Sequence, residues 1–205
     1  MQRRNTLTSL NGDGPYGWAL LGLVAALWLL AAAGSSGVEL LCYQRLAIGH
    51  GQVWRLLTGH WVHLGVRHLL MDSAGLVLIW ALYARTLPPF DWLLLLLGAT
   101  AAIDAGLWWG EPQVEWYVGI SGLLHAAWAA GATAWALRGG IGVRAQGVLM
   151  LAALAAKLVL ERHGSASLFD PSMPVMTAAH AYGAAAGVLG GGLAALRLAP
   201  RVESL

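Results

Sequence analysis

The residues Gly119-Ile120-Ser121-Gly122 lie at the start of an apolar stretch, residues 118–137, and His180 lies near the start of another, residues 174–196. A hydroxyl in hydrocarbon costs free energy unless it is hydrogen-bonded, and a histidine inside a membrane is a functional-site hypothesis. A serine and a histidine at one depth of a membrane bundle suit a nucleophile and its general base. The two stretches therefore predict a hydrolytic site, of the kind that cuts peptide bonds, within or at the edge of a bilayer.

The composition is that of a membrane protein. Of the 205 residues, 58% are hydrophobic and 11% are charged, whereas a soluble domain carries about 25% charged residues. Each of six apolar stretches is close to the ~20 residues that cross ~30 Å of hydrocarbon. They are residues 17–33, 64–84, 90–109, 118–137, 143–160 and 174–196. We therefore predict an all-α membrane protein, a six-helix bundle forming a single domain over residues 1–205.

The start of the chain admits two interpretations. Met1-Gln2-Arg3-Arg4, with the apolar stretch behind it, resembles a signal peptide, but the number of later stretches favours a retained first helix. Gly34-Ser35-Ser36-Gly37 is interpreted as a break after that helix. The single Cys42 excludes an internal disulfide, and the scattered arginines give no indication of nucleic-acid binding.

The loop arginines predict the orientation of the bundle, because cytoplasmic loops carry an excess of Lys and Arg. With a cytoplasmic N-terminus, seven basic residues lie inside: Arg3, Arg4, Arg85, Arg138, Arg144, Arg197 and Arg201. Five lie outside: Arg45, Arg55, Arg67, Lys157 and Arg162. The acidic loop 110–117 supports the same N-in, C-in arrangement.

This topology places several polar residues at one depth. The second, fourth and sixth helices enter from the same face, so His68, Ser121 and His180 lie roughly 5–10 Å from that boundary, at 1.5 Å per residue. Asp72 lies one turn below His68, since residues i and i+4 share a helix face. Four polar groups from three helices are therefore expected to form one site.

The glycines around this site suggest close helix packing. Gly122 follows the serine, and Gly183 and Gly187 follow the histidine at a spacing typical of tight membrane-helix contacts. The same Gly-Ile-Ser-Gly sequence is also compatible with a packing face that has no chemical role. If the site is chemical, backbone N–H groups near Ser121 could stabilise an oxyanion, and histidine can accept the serine proton near neutral pH.

The other histidines leave two alternatives open. His125, one turn below Ser121, could orient the His180 ring by stacking or hydrogen bonding, or could simply pack. His60, His63 and His68 could form a metal cluster, but the His-Glu-x-x-His pattern of a zinc protease is absent, so we expect no metal. A small transporter or a haem protein that uses these histidines is a further alternative.

Three motifs, in this order, resemble the rhomboid family of intramembrane serine proteases, over a region from Trp54 to Gly187. The first is Trp54-Arg55 followed by His63-Leu64 and His68-Leu69-Leu70-Met71-Asp72, the second is Gly119-Ile120-Ser121-Gly122, and the third is Ala179-His180 with Gly183 and Gly187. The resemblance implies a rhomboid-like bundle without a cofactor. It also implies a catalytic Ser121–His180 dyad, with Gly119 in the serine motif and His68 as an oxyanion donor.

Two positions depart from the family pattern. An asparagine that helps to bind the oxyanion is replaced by Asp72, and an aromatic residue on which the catalytic histidine stacks is replaced by His125. An ionised Asp72 would repel an oxyanion. Because a low dielectric disfavours the charged form, we expect Asp72 to be a protonated donor. If Asp72 is instead ionised, it should hold His68 or another donor in place.

The short chain, with Gly-Ile-Ser-Gly-Leu-Leu-His at residues 119–125, is most similar to the rhombosortase subgroup. This resemblance implies a protein of the bacterial inner membrane with its site towards the periplasm. Its expected partners are the lipid bilayer and single-span proteins that end in a Gly-Gly sorting tail. A catalytically inactive relative that binds transmembrane segments without cutting them is the competing hypothesis.

Overall fold

The computed structural model describes residues 15–163 and 176–198, which form nine α-helices, one π-helical turn and a two-strand pair. The predicted signal-like segment at residues 1–4, the start of the last predicted helix at residues 174–175, and Arg201 lie outside the described residues. The elements are α1 (Pro15–Ala31), α2 (Gly34–Leu41), β1 (Tyr43–Gln44), α3 (Arg45–Gly49), α4 (Arg55–Thr58), α5 (Gly65–Tyr83), α6 (Pro89–Ala105) with the π turn Gly106–Gly110, β2 (Trp116–Tyr117), α7 (Ser121–Arg138), α8 (Ile141–Arg162) and α9 (Thr177–Arg197).

Four of the described helices are long and apolar enough to cross a membrane. These are α5, α6 with its π turn, α8 and α9, and α1 with α2 adds a fifth candidate if this bent pair is one span. The chain is therefore an all-α, multi-pass membrane protein. The fourth predicted span, residues 118–137, forms α7, which is not among these candidate spans.

The first predicted helix differs from the structure at its end. The chain bends by 104° between α1 and α2, and the expected break at residues 34–37 is the first turn of α2. Gly34 has a φ of +62°, a conformation that glycine adopts readily, so it permits the sharp change of direction. Residues 43–44 then pair antiparallel with residues 116–117, which ties the loop after α2 to the loop before α7.

Helix α7 lies at the centre of the bundle, packed against α5, α6, α8 and α9. Ala126, Ala129, Ala130 and Ala132 are fully buried. A helix surrounded by protein does not need large lipid-facing side chains, which explains why α7 is less hydropathic than its neighbours. Small residues also let helix backbones approach closely, and this is a main source of helix association in membranes.

The closest approach is between α7 and α9. A Cβ atom on Gly183 would lie 2.1 Å from the carbonyl oxygen of Gly122, and one on Gly187 would lie 2.1 Å from that of Ala126. Gly191 faces Ala130 in the same way, with 2.6 Å to its Cα. Three glycines at successive turns of α9, from Gly183 to Gly191, therefore bring the two backbones into contact.

We predict that Gly187→Ala destabilises the bundle by about 1–3 kcal/mol, the usual cost of overpacking. The cost arises because the new methyl group meets backbone, which cannot move aside as a side chain can. The matched control is Gly98→Ala in α6, where a Cβ has nothing within 4 Å and helix propensity favours alanine. The measurement is the thermal unfolding midpoint of both variants in one detergent. An unchanged midpoint for Gly187→Ala would contradict the close packing.

Candidate active site

Ser121 and His180 meet at the contact between α7 and α9. Ser121 is the first residue of α7 and His180 is the fourth of α9, and their Oγ and Nε2 atoms are 2.8 Å apart. His180 is buried, whereas Ser121 is partly exposed. The hydroxyl is thus hydrogen-bonded to an imidazole while remaining open on one side, which is the geometry that a nucleophile and its base require.

Glu161 holds the other nitrogen of the same imidazole, and sequence analysis missed it. Its Oε2 atom is 2.9 Å from Nδ1 of His180. Glu161 also forms an ion pair with Lys157, one turn earlier on α8. The sequence prediction ended this helix at residue 160, but α8 continues through Arg162. The available signal was the i, i+4 spacing of Lys157 and Glu161, which is typical of a helical ion pair.

His125 stacks on His180. The two ring centroids are 4.0 Å apart and the rings are inclined by only 12°. The Nδ1 atom of His125 is 2.7 Å from the carbonyl oxygen of Ser121, so this nitrogen carries a proton and donates it. His125 is thus fixed by the first turn of α7 and covers one face of the His180 ring.

The backbone before Ser121 has a conformation that requires glycine. Gly119 has a φ of +109°, and a Cβ atom there would lie 2.8 Å from the His68 ring. Its carbonyl oxygen accepts a hydrogen bond from the Tyr117 hydroxyl at 2.7 Å, and its N–H donates to the Gly59 carbonyl at 3.1 Å. These bonds fix the loop, and the missing side chain lets His68 approach it.

A single oxygen of Asp72 contacts two different segments of the chain. Its Oδ2 atom is 3.1 Å from the backbone N–H of Ile120 and 3.0 Å from Nε2 of His63. The Ile120 N–H can only donate, so Oδ2 acts as an acceptor. Asp72 therefore connects α5 to the residue that precedes Ser121.

His68 lies beside this carboxylate without a full hydrogen bond to it. Its Nδ1 atom is 3.4 Å from the backbone N–H of Leu64, which assigns the ring proton to Nε2. The distance from Nε2 to Asp72 Oδ2 is 3.5 Å, longer than a good hydrogen bond. The Nε2–H group of His68 is thus a donor that a further acceptor could use.

Two of the three histidines in the metal-cluster alternative, His63 and His68, lie close together, with ring centroids 5.0 Å apart. Nε2 of His60 is 3.3 Å from Oδ1 of Asp104, whereas His63 bonds to Asp72. A different group, His125, Glu161 and His180, has possible ligand atoms within 4.8 Å of one another. Zinc bonds to a histidine nitrogen in the ring plane at about 2.0–2.1 Å. The rings of His125 and His180 are stacked almost parallel, so the lone pairs of their nitrogens lie in parallel planes and do not converge on one point. The three residues are therefore poorly arranged to bind a single metal ion.

Arg55 of the Trp54-Arg55 motif organises the loop after α2. It is buried, and its Nη1 atom donates to the carbonyl oxygens of Glu39 and Cys42 at 2.8 and 2.9 Å. Trp54 is half exposed, and its indole N–H donates to the Leu40 carbonyl. Both residues therefore fix the segment that leads into α5.

Comparison with known proteins agrees with this architecture. A family model described as "Rhomboid domain" matches residues 50–197, which is more than half of the chain. The protein therefore belongs to the rhomboid family. It is also similar to "Putative rhomboid protease YdcA" of Bacillus subtilis, with 30% identity over 109 residues, or 51% of this chain and 55% of that protein. The chain thus spans about half the length of the curated relative that it matches.

Proposed function

We propose that this protein is an intramembrane serine endopeptidase in which Ser121 is the nucleophile and His180 is its general base. The observation that carries the proposal is the 2.8 Å contact between the serine hydroxyl and Nε2 of the histidine. The family match supports the same activity, because rhomboid proteins include intramembrane proteases. The competing hypothesis of an inactive relative gives no reason for a partly exposed serine to be paired with a buried histidine.

The proposed reaction begins when His180 accepts the hydroxyl proton of Ser121 as Oγ bonds to the carbonyl carbon of the substrate. His180 then gives that proton to the amine that leaves as the C–N bond breaks. Water attacks the resulting ester, with His180 again as the base, and the proton returns to Ser121. The stacked His125 ring restricts rotation of His180 between these steps.

Two donors are proposed to stabilise the oxyanion. Ser121 is the first residue of α7, and the first N–H groups of a helix have no acceptor within that helix. The Nε2–H group of His68 lies beside Gly119 and makes a long contact to Asp72. Donors that are fixed in advance stabilise charge that develops in the transition state without a cost of reorganisation.

We assign Asp72 a positioning role as an ionised acceptor, rather than the protonated donor that sequence analysis favoured. The reason is that Oδ2 already receives the Ile120 N–H and faces His63 Nε2. In this role Asp72 fixes the loop before Ser121 and keeps His68 close to it.

The proposed substrates are single-span membrane proteins with a C-terminal Gly-Gly sorting tail, as implied by the sequence at residues 119–125. Ser121 and His180 lie at the starts of α7 and α9, and His68 is the fourth residue of α5. A site at these helix ends suits substrates cut near the membrane surface. We propose an N-in, C-in chain of six spans in a bacterial inner membrane, with the site towards the periplasm.

We predict that Ser121→Ala and His180→Ala each abolish cleavage and that the double variant loses no more, because the two residues act as a unit. Cleavage is measured on a single-span reporter that carries a Gly-Gly tail, beside the same reporter with Leu-Leu in place of Gly-Gly. The matched controls are Ser73→Ala in α5 and His50→Ala in an exposed loop, which should retain activity. Cleavage by Ser121→Ala would overturn the serine mechanism, and equal cleavage of both reporters would overturn the substrate assignment.

His68→Ala should lower kcat by about 10²-fold, the typical effect of losing one oxyanion donor, with little change in KM. The loss falls on kcat because the donor acts on charge that exists only in the transition state. Steady-state kinetics on the Gly-Gly reporter, with His50→Ala as the control, measure this effect. A parental kcat in His68→Ala would remove the residue from the site.

Asp72→Asn should reduce kcat by roughly 10- to 100-fold, because hydrogen bonds to a charged acceptor contribute about 1.5–3 kcal/mol and the amide is neutral. The measurement is the pH–rate profile of the variant beside that of the parent in matched lipid. A protonated donor would give the opposite outcome, since an asparagine N–H could replace it. Retained or increased activity would therefore show that the acceptor role is wrong.

A further inference from the structure

A carboxylate from a fourth helix lies behind the Ser121–His180 pair. Glu161 is the penultimate residue of α8 and is only 6% exposed. A charged side chain inside a membrane bundle is costly unless it is paired, and such residues usually have a function. Glu161 satisfies one oxygen with Lys157 and the other with His180.

The position of Glu161 follows from the direction of α8. Ser121 is the first residue of α7 and His180 is the fourth of α9, whereas Glu161 lies at the end of its helix. The last turn of α8 lies at the same level of the bundle as Ser121 and His180. Glu161 lies in that turn, beyond the apolar part of the helix, and therefore reaches His180. The Oε2 atom and Nδ1 of His180 are 2.9 Å apart, a normal hydrogen-bond distance.

This contact determines which nitrogen of His180 carries the proton. An ionised carboxylate can only accept, so Nδ1 must donate to it. The Nε2 atom then has a free lone pair directed at the Ser121 hydroxyl, which is 2.8 Å away. The ammonium group of Lys157, bound to the other carboxylate oxygen, favours the ionised form of Glu161.

We propose that Glu161 is a positioning residue that completes a Ser121–His180–Glu161 triad. This inference rests on the proposed function of Ser121 and His180. When Nε2 accepts the serine proton, the ring becomes an imidazolium between Ser121 and the carboxylate. Glu161 stabilises that positive charge and does not take up the proton. The proton is then transferred from Nε2 of His180 to the departing amine.

A purely structural role makes a different prediction. If Glu161 only links α8 to α9 through Lys157 and His180, its replacement should lower stability and leave the turnover of the folded protein unchanged. If Glu161 sets the tautomer, the replacement should lower turnover in protein that is fully folded. The two roles are therefore distinguished by measuring kcat on Glu161 variant protein whose elution profile matches that of the folded parent.

Glu161→Gln tests the inference, since it preserves the size of the side chain and removes its charge. We expect kcat on the Gly-Gly reporter to fall by about 10²- to 10⁴-fold, the upper value being that of an acid-to-amide change in a hydrolase triad. KM should change little, and Glu161→Asp should recover part of the lost kcat. The matched control is Asp91→Asn, which removes a buried carboxylate that pairs with Arg197 at the other end of α9.

A second measurement is made on the parent protein, so it does not depend on whether a Glu161 variant folds. In the parent protein with isotope-labelled histidine, the nuclear magnetic resonance signals of His180, assigned by their loss in His180→Ala, should show a protonated Nδ1 and an unprotonated Nε2. The opposite tautomer would overturn the inference, as would a parental kcat in folded Glu161→Gln. A Ser121→Ala variant that retains activity would instead overturn the proposed function, so the two failures are distinguishable.

Discussion

The backbones of α7 and α9 are in direct contact at the centre of the bundle, and this contact positions both the helices and the site. Within a bilayer, helices gain no hydrophobic advantage from meeting one another, so their association relies on close packing and hydrogen bonds. The glycines at 183 and 187 remove the atoms that would keep the helices apart. The same approach brings the imidazole of His180 to the hydroxyl of Ser121, so packing and chemistry depend on one set of contacts.

Several buried or half-buried polar groups of the described chain have hydrogen-bond partners. Asp72 accepts the N–H of Ile120, Glu161 lies between Lys157 and His180, and Arg45 donates to carbonyl oxygens of the π turn, including those of Leu107 and Trp108. In a low dielectric these bonds are stronger than in water, and an unpaired group would be costly. The arrangement therefore fixes side-chain orientation as well as stability.

Sequence analysis could predict the parts of this structure that follow from local patterns. Apolar length predicts the helices that become α5, α6, α8 and α9, because lipid requires a minimum span. It could not predict the bend after α1, which depends on the conformation of Gly34. The close approach of Ser121 to His180 was suggested by depth and glycine spacing, but its distance depends on packing across the bundle.

Asp72 and Glu161 show which contacts local sequence patterns do not predict. Asp72 was expected to share a face with His68, and it does lie beside it, but its bonds to His63 and Ile120 come from other segments. Glu161 was missed because hydropathy falls at the charged end of α8, although a helical ion pair and a bond to His180 extend the helix through that residue. Contacts made by the folded chain decide the role of both groups.

The proposed function requires Ser121 to be a nucleophile activated by His180. Mass spectrometry of the protein after treatment with a fluorophosphonate probe tests it most directly, because the probe bonds covalently to an activated serine. We expect one adduct, mapped to Ser121, that is lost in His180→Ala while the variant remains folded. An adduct on another residue, or an unmodified Ser121 in protein that cleaves its reporter, would show that Ser121 is not the nucleophile.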